Sequence, residues 1–324
     1  MNEGVLIVFV KFIKLIIWIF LVAIFSISCT FQKEKHILRL GFIPNVTHAT
    51  ALIGIEKNIF QNELGNNIKF TPVHFVIGNS IIDAFITNQI DAAYIGPGPF
   101  INALYRNIPV KLLANAANSG TTIVGVKAIH ELPPGNLRIA VPQYGNTQDL
   151  LLRAYLKENN LSDKVKIIAI PPQDTGTAFF TMSIDGACLP EPWGTILIEK
   201  NICKLLVDEK SILNNGNYPA TLLVVNKKFD LENPELIKKL LTAHKKATEF
   251  IANNPLEAVK VTTNAISGIS KKEINQSIIA KAFKRCTFNN DLDLNILKEF
   301  KIIAIIAGYY RKDFSDKIHE NSVN

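Results

Sequence analysis

A ten-residue stretch occurs twice in this sequence, and the two copies lie 94 residues apart. Residues 84–93 read AFITNQIDAA and residues 178–187 read AFFTMSIDGA, so six of the ten positions are identical. Both copies continue through a short apolar run into a proline-containing turn, at 94–99 and at 188–193. A helix end, an Asp turn, a buried strand and a proline turn therefore recur in the same order. This order predicts two similar α/β lobes.

The segments around each copy repeat the same alternation of strands and helices. Apolar runs predict strands at 37–44 and 68–77 in the first half, and at 137–142 and 165–170 in the second. Strands that alternate with helices in this way form parallel sheets covered on both faces. Ligands bind beyond the carboxyl ends of such strands. The loops expected at that end are 44–50, 77–81, 95–99, 142–148, 171–177 and 190–194.

The length and composition leave room for two lobes and additional helices. The chain has 324 residues, of which 48% are hydrophobic, which is enough for a core in each lobe. Short β-branched runs at 121–126 and 221–225 are expected to carry the chain between the lobes. The C-terminal helices are expected to pack on lobe one. We therefore predict three parts: residues 1–35 as a leader and tether, residues 36–122 plus 226–324 as lobe one, and residues 123–225 as lobe two.

The charge pattern and the cysteines argue against two kinds of site. The net charge is +7, but Lys and Arg are scattered and form no basic stripe interleaved with aromatic residues. Nucleic-acid binding is therefore not expected. The four cysteines, Cys29, Cys188, Cys203 and Cys286, lack zinc or CxxC spacing. We expect no metal, no cofactor and no disulfide scaffold, and we expect a monomer.

The N-terminal segment has the pattern of a secretory leader. Lys11 and Lys14 precede an uncharged run at 15–28, and this order matches the first two regions of a signal peptide. The small residue before Cys29 resembles the bacterial lipobox, in which the cysteine receives a diacylglycerol, although Ser26 stands where leucine is usual. An uncleaved anchor helix and plain secretion remain open alternatives. All three place the globular part outside the cytoplasm.

Four motifs occur in the order found in a known family of solute receptors. They are GFIPNVTHA at 41–49, YIGPGP at 94–99, GNTQD at 145–149 and EPW at 191–193. They resemble the substrate-binding proteins of bacterial ABC importers in the nitrate/sulfonate/taurine branch, and most of all the aliphatic-sulfonate-type members. The likeness covers nearly all of residues 37–310.

The resemblance implies an α/β fold of the two-lobed periplasmic-binding-protein type II. Each lobe would be a mainly parallel sheet flanked by helices, with the solute in the cleft between the lobes. The implied function is the capture of a small anionic or zwitterionic solute, sulfonate- or taurine-like, and its delivery to an ABC permease and its ATPase. The family does not determine the solute, so nitrate-like ions and pyrimidine precursors remain open.

Loops without Lys or Arg can still bind an oxyanion, because helix N-termini present unpaired backbone N–H groups and a partial positive charge. In lobe two the best candidates are consecutive: Gly145, Asn146, Thr147 and Gln148. In lobe one the candidates are Asn45, Thr47, His48, Asn79, Ser80, Gly96, Pro97 and Gly98. For each of these loops, helix capping or a sharp turn is the alternative interpretation. His74, which alternates with apolar neighbours, is predicted to be structural.

Glu191 and Trp193 bear on the charge of the solute. A carboxylate in the cleft repels a bare anion and favours a solute that also carries an amine. The alternative for Glu191 is a cap on the helix that follows it, where a negative charge is favourable. Trp193 either forms an apolar wall of the cleft or packs beneath it.

An enzyme on the same fold is the main alternative function. Pyrimidine-biosynthetic and menaquinone-pathway enzymes share this architecture. Such an enzyme needs a nucleophile or base with an orienting partner, and no Ser/His/Asp or Cys/His constellation is evident from the spacing. We therefore predict a receptor without catalytic activity.

Overall fold

The computed structural model describes Ile13, residues 36–126 and residues 137–314. The predicted leader, with its lipidation site Cys29, lies outside the described residues. The described residues from Ile37 onward belong to one compact unit. Among the described residues, no helix combines the length and the apolar character needed to cross a membrane.

The strands of the described residues are β1 (His36–Phe42), β2 (Ile68–His74), β3 (Ala92–Ile95), β4 (Val110–Ser119), β5 (Thr121–Gly125), β6 (Leu137–Val141), β7 (Val165–Ala169), β8 (Gly186–Pro190), β9 (Lys204–Val207), β10 (Pro219–Asn226) and β11 (Cys286–Thr287). The helices are α1 (Ala49–Glu56), α2 (Ile59–Leu64), α3 (Gly78–Ile86), α4 (Pro97–Tyr105), α5 (Thr147–Glu158), α6 (Thr175–Phe180), α7 (Trp193–Glu199), α8 (Lys227–Glu232), α9 (Pro234–Asn253), α10 (Pro255–Ser270), α11 (Gln276–Phe283) and α12 (Leu294–Ile306).

The strands form two sheets, which confirms the predicted two-lobed α/β architecture. Lobe one is the part built on the six-stranded sheet β11-β4-β10-β3-β1-β2, and lobe two the part built on the five-stranded sheet β7-β6-β8-β5-β9. β1 pairs parallel with β3, and β6 pairs parallel with β7 and β8, as the strand–helix alternation predicts.

Each sheet is mixed rather than mainly parallel. β10 runs antiparallel to β3 and β4, and β5 runs antiparallel to β8 and β9. The reason is the connectivity: β5 and β10 arrive from the other lobe rather than through a helical crossover, so each enters its sheet in the opposite direction.

The sequence repeat forms the same structure in both lobes. In lobe one the Asp91 carboxylate accepts hydrogen bonds from the backbone N–H, Nε and Nη2 of Arg39 at 2.8, 3.0 and 2.6 Å. In lobe two the Asp185 carboxylate accepts from the same three donors of Arg138 at 2.9, 3.0 and 3.1 Å. Such bidentate Arg–carboxylate contacts fix the conformation of a turn. The repeated aspartates therefore hold the turns that precede β3 and β8.

The chain passes between the lobes at two places. Gly120, with φ of +73°, is the residue between β4 and β5 and marks the first crossing. The chain returns to lobe one between β9 and β10. The run 221–225, predicted to end lobe two, belongs to β10, and β10 is a central strand of the first sheet. If sheet membership defines the lobes, the boundary therefore lies before Pro219 rather than at 225.

The C-terminal helices have two kinds of environment. α9 buries an apolar stripe that includes Leu236, Leu240 and Ala243, and it packs against α1 and α2 of lobe one. α12 instead packs against α4 of lobe one and α5 of lobe two. The helix that was expected to cover lobe one alone therefore contacts both lobes.

Candidate functional site

A cavity of about 290 Å³ lies between the loops of the two lobes, and we call it the cleft. Eight of the candidate residues line it: Asn45, Thr47, His48, Gly96, Asn146, Thr147, Gln148 and Trp193. Six candidates lie near the cleft without lining it: Asn79, Ser80, Pro97, Gly98, Gly145 and Glu191. The loops at the carboxyl ends of the strands thus come together as the α/β topology requires.

The loop after β1 carries three of the lining residues. The Asn45 Oδ1 atom accepts the Thr47 hydroxyl at 3.0 Å and the backbone N–H of His48 at 3.1 Å. These contacts cap the 3₁₀ turn Val46–His48 and orient the Asn45 amide. The oxygen of the amide is therefore engaged in capping, and its Nδ2 donor has no partner among the described residues.

His48 is a neutral hydrogen-bond donor. The backbone N–H of Ile43 donates to the His48 Nδ1 atom at 3.2 Å, so Nδ1 carries a lone pair and the proton resides on Nε2. The side chain is buried, and burial lowers the pKa of His48 to about 3 because it penalises the charged imidazolium. His48 therefore lines the cleft as a neutral N–H donor rather than as a cation.

We expect His48 to remain neutral from pH 8 to pH 5. The unfolded chain takes up this proton near the ordinary pKa of 6.5, whereas the folded protein does not until about 3. The contribution of neutral His48 to the free energy of unfolding is therefore lost as the pH falls below about 6.5. Imidazole ¹⁵N NMR measures both points: the spectrum should show a proton on Nε2 and no titration in this range. Protonation near pH 6.5 would contradict the assignment.

The N-terminus of α5 combines capping with free backbone donors. The Asn146 Oδ1 atom accepts the N–H of Asp149 at 2.9 Å, and its Nδ2 atom donates to Gln148 Oε1 at 3.2 Å. The Gln148 Nε2 atom donates to Thr121 Oγ1 at 3.1 Å. Both side-chain amides are thus engaged within the protein. The backbone N–H groups of Thr147 and Gln148 have no partner among the described residues, as the first turn of a helix leaves them.

The N-terminus of α4 offers far less to a solute than the sequence suggested. Pro97 and Pro99 have no N–H, so Gly98 supplies the one backbone N–H donor of the first three helix positions. That N–H donates to the Thr147 Oγ1 atom of lobe two at 3.4 Å. The Thr147 oxygen therefore caps a helix of the opposite lobe, while its O–H remains a donor at the cleft that Thr147 lines.

The two glycines of this loop, Gly96 and Gly98, permit the close approach of lobe two. A Cβ atom on Gly98 would lie 2.6 Å from the Asn146 carbonyl carbon and 2.7 Å from the Thr147 nitrogen. A Cβ atom on Gly96 would collide with the Thr147 hydroxyl. Glycine at these positions is what allows the two rims of the cleft, the loop 95–99 of lobe one and the loop 145–148 of lobe two, to touch.

α3 begins earlier than the sequence predicted. The helix starts at Gly78, and its N-cap is Ile77, whose side chain makes no capping hydrogen bond. Asn79 and Ser80, which were expected in the loop 77–81, are therefore inside the first turn of the helix. Ile77 and Gly78 line the cleft in their place.

Glu191 is buried behind the cleft. Its Oε2 atom accepts the backbone N–H of Thr195 at 3.3 Å, in agreement with the capping alternative. Its Oε1 atom lies 3.5 Å from Arg285 Nε of lobe one. Burial raises the pKa of Glu191 to about 7, and the nearby Arg285 opposes that rise. Trp193, two residues on, does line the cleft and also packs against the apolar cluster of lobe two.

Several lining residues were not predicted. His74 was expected to be structural, yet it is exposed and lines the cleft at the end of β2 together with Phe75 and Val76. Gln173 comes from the predicted loop 171–177 but was not singled out. Further lining residues come from the end of α10, which was expected only to pack: Ile269, Ser270 and Lys272.

The charges of the lining are few. Among the described lining residues there is no Asp, Glu or Arg, and Lys272 is the only Lys. Lys272 is exposed and forms no ion pair with a described residue. Much of the remaining surface is apolar: Ile43, Pro44, Phe75, Val76, Ile77, Pro99, Pro142, Pro172, Pro190, Trp193, Ala220 and Ile269. The cleft thus offers neutral donors, one cation at its rim and apolar walls.

Known proteins share this fold. A protein-family model described as the NMT1-like family matches residues 32–267. A presumed binding protein of Brucella abortus (strain 2308) is 26% identical over 231 residues, which are 69% of this chain and 70% of that protein. A presumed aliphatic sulfonates-binding protein of Bacillus subtilis (strain 168) is 24% identical over 254 residues, 75% of this chain and 73% of that protein.

A solved structure shows the same architecture. The alkanesulfonate-binding protein of Xanthomonas axonopodis pv. citri, bound to MOPS, superposes with a TM-score of 0.73 at 15% identity. The superposition covers 90% of this chain and 99% of that one. These matches confirm the resemblance that the four sequence motifs indicated.

Proposed function

This chain belongs to the NMT1-like family, and on that premise we propose that it is the solute receptor of an ABC importer. In this proposal a small organic anion binds in the cleft and is enclosed by the two lobes. The observation that carries the proposal is the position of the cleft, which is lined by loops of both lobes. A solute that contacts both lobes favours the closed form, because it makes more contacts with the closed form than with the open form.

The chemistry of the lining supports a sulfonate-like anion with an apolar body. The Asn45 Nδ2, His48 Nε2 and α5 backbone N–H groups have no partners among the described residues, and such donors match the oxygens of an anion. Phe75 and Trp193 supply apolar surface for the rest of the molecule. The buried position of Glu191 removes the carboxylate that would have favoured an aminosulfonate, so taurine is a weaker candidate.

The remaining parts of the proposal concern delivery. The receptor would work outside the cytoplasm, tethered to the membrane through the leader and Cys29 or through a retained anchor. It would transfer its solute to a permease driven by an ATPase. The relatives named for binding, and the likeness of the leader to a lipoprotein signal, support this arrangement.

Lys272 provides a test of the charge of the solute. We expect Lys272→Gln to weaken the binding of butane-1-sulfonate about threefold to tenfold, because a unit charge at the rim of the cleft contributes roughly 1 kcal/mol. Binding of the neutral butane-1-sulfonamide should be unchanged. Isothermal titration calorimetry of both probes measures the difference.

Lys271→Gln is the matched control, because it removes the same charge from the adjacent residue, which does not line the cleft. Equal affinities for the two variants would contradict a local role for Lys272. If the wild-type protein bound none of butane-1-sulfonate, taurine and nitrate, the proposed function itself would fail. Chemical conversion of a bound probe, followed by NMR, would favour the enzyme alternative.

A further inference from the structure

The end of α12 directs a tyrosine toward lobe two. Gly308, with φ of +79°, stands just after the helix, and its N–H donates to the Ile305 carbonyl at 3.0 Å. The Tyr309 N–H donates to the Ala304 carbonyl, also at 3.0 Å. These two bonds form a Schellman motif, in which a left-handed glycine ends the helix and turns the chain sharply. The turn places the Tyr309 side chain against α5.

The Tyr309 hydroxyl is part of a partly buried polar network. It donates to the Asp149 Oδ2 atom at 2.6 Å and accepts from Arg153 Nη2 at 3.0 Å. Arg153 Nε donates to the other oxygen of Asp149 at 2.9 Å, and the guanidinium lies 5.2 Å from the centre of the Tyr309 ring. Asp149 is fully buried, whereas Arg153 and Tyr309 are partly exposed, so the carboxylate is the best shielded member of the network.

The network extends to the rim of the cleft. The same Oδ2 atom of Asp149 accepts the backbone N–H of Gly145 at 2.8 Å. The Asp149 N–H donates to Asn146, the N-cap of α5. Asp149 thus forms hydrogen bonds with Gly145 and Asn146, the two residues that directly precede the free N–H donors of Thr147 and Gln148. Tyr309 does not line the cleft, but its hydroxyl and the Gly145 N–H donate to the same oxygen of Asp149.

The residues that follow Tyr309 are attached to lobe one. The Tyr310 ring lies 4.5 Å from the ring of Tyr105, the last residue of α4, and the Phe314 ring lies 5.2 Å from it. Adjacent tyrosines therefore contact different lobes. They join α4 and α5, the two helices whose N-termini meet at Gly98 and Thr147. This segment also lies beyond residue 267, where the match to the family model ends.

We propose that Tyr309 is a positioning residue of the solute site: through Asp149 it holds the loop 145–148 in its binding geometry, and its segment couples that loop to lobe one. The inference rests on the proposed function. In this arrangement the hydroxyl acts at a distance from the solute, by limiting the positions that the α5 donors can adopt. A charge-assisted hydrogen bond to a buried carboxylate is strong enough for this role.

Tyr309→Phe removes the hydroxyl and keeps the ring on Arg153. Tyr310→Phe is the matched control, because it removes the hydroxyl of the adjacent tyrosine, which makes no contact with Asp149. Two measurements apply to both variants: the affinity for butane-1-sulfonate by calorimetry, and the hydrogen exchange of the Gly145 amide. We expect Tyr309→Phe to weaken binding about threefold to tenfold and to speed the exchange of Gly145. Tyr310→Phe should change neither.

A purely structural role has a different signature. It would lower the midpoint of denaturation in Tyr309→Phe and leave both the affinity and the Gly145 exchange at wild-type values, and that result would overturn the inference. If the wild-type protein bound no probe, the proposed function would fail on its own. Unchanged Gly145 exchange in Tyr309→Phe would overturn the positioning role whatever the binding result.

Discussion

Replacing Gly98 with alanine should abolish tight solute binding while leaving the protein folded. The added Cβ would stand 2.6 and 2.7 Å from backbone atoms of Asn146 and Thr147. Backbone atoms cannot move aside as a flexible side chain does, so the two rims would have to separate. The N–H of Gly98 would lose its partner Thr147 in the same step. We expect the affinity for butane-1-sulfonate to fall about a hundredfold or more, roughly 3 kcal/mol.

The fold itself should tolerate this change, because the collision is between the lobes and not within one. Alanine also has the higher helix propensity, by up to about 1 kcal/mol. Gly268→Ala is the control: Gly268 is in α10, and an added Cβ there meets nothing within 4 Å. Calorimetry measures the affinity of each variant, and urea denaturation measures its stability. Wild-type affinity in Gly98→Ala would show that the rims need not touch when the solute is bound.

The second large effect is expected at Arg285. This side chain of lobe one lies 3.5 Å from the buried Glu191 and donates to Glu209 at 2.8 Å, and both carboxylates belong to lobe two. Removing one partner of a buried pair leaves the other charge without compensation. We therefore expect Arg285→Ala to lower the free energy of unfolding by about 1.5–3 kcal/mol, mainly through the lost charged hydrogen bond to Glu209, because Glu191, with a pKa of about 7, takes up a proton when the cation is removed. Chemical denaturation at neutral pH measures the change.

Two further variants test the origin of that loss. Lys281→Ala removes an exposed ion pair with Glu199, which should cost at most about 1 kcal/mol. Adding Glu191→Gln to Arg285→Ala should recover part of the stability, because the uncompensated charge is gone. A loss in Arg285→Ala no larger than that in Lys281→Ala would contradict the buried-pair interpretation.

The pH dependence of this effect has a definite sign. The Glu191 carboxyl loses its proton near 4.5 in the unfolded chain but near 7 in the folded protein. The folded state therefore binds more protons between these values, and this group's contribution to stability falls as the pH rises through that window. Without Arg285 the pKa of Glu191 rises further. The loss in Arg285→Ala should thus be larger at about pH 8 than at about pH 6.

The sequence predicted the parts of the fold that local patterns encode. The repeat around Asp91 and Asp185 forms matching structures, and the loops after the strands line a common cleft, because parallel strands deliver their carboxyl ends to one edge. The run 221–225 was expected to be the return connection between the lobes, and it lies in β10, a central strand of the six-stranded sheet. A short apolar, β-branched run is typical of a connector and of a central strand alike, and only its partners distinguish the two.

The chemistry of the site was less predictable. Two prolines in the 94–99 motif already indicate that this helix start has a single free N–H, a signal that lies in the sequence itself. Its partner, Thr147, comes from the opposite lobe, and no local pattern encodes a contact between lobes. The capping role of Asn146 was an alternative from the start, and the hydrogen bonds of the structure support it.

Two contributions come from residues far from any predicted loop. Lys272 follows a helix that has the ordinary pattern of a packing element, and its place at the cleft depends on how α10 crosses lobe one. Gly308 signals a helix end in the sequence, but nothing before the fold is known indicates that Tyr309 then meets Asp149. Both depend on tertiary packing, which residue spacing does not report.

The central claim is that a solute is trapped between two lobes that meet at Gly98 and Thr147. Small-angle X-ray scattering of the wild-type protein, with and without butane-1-sulfonate, tests it most directly. The account predicts a smaller radius of gyration with saturating solute, and no such decrease in Gly98→Ala. Calorimetrically proven binding to the wild-type protein without any change in its radius of gyration would contradict closure of the lobes around the solute.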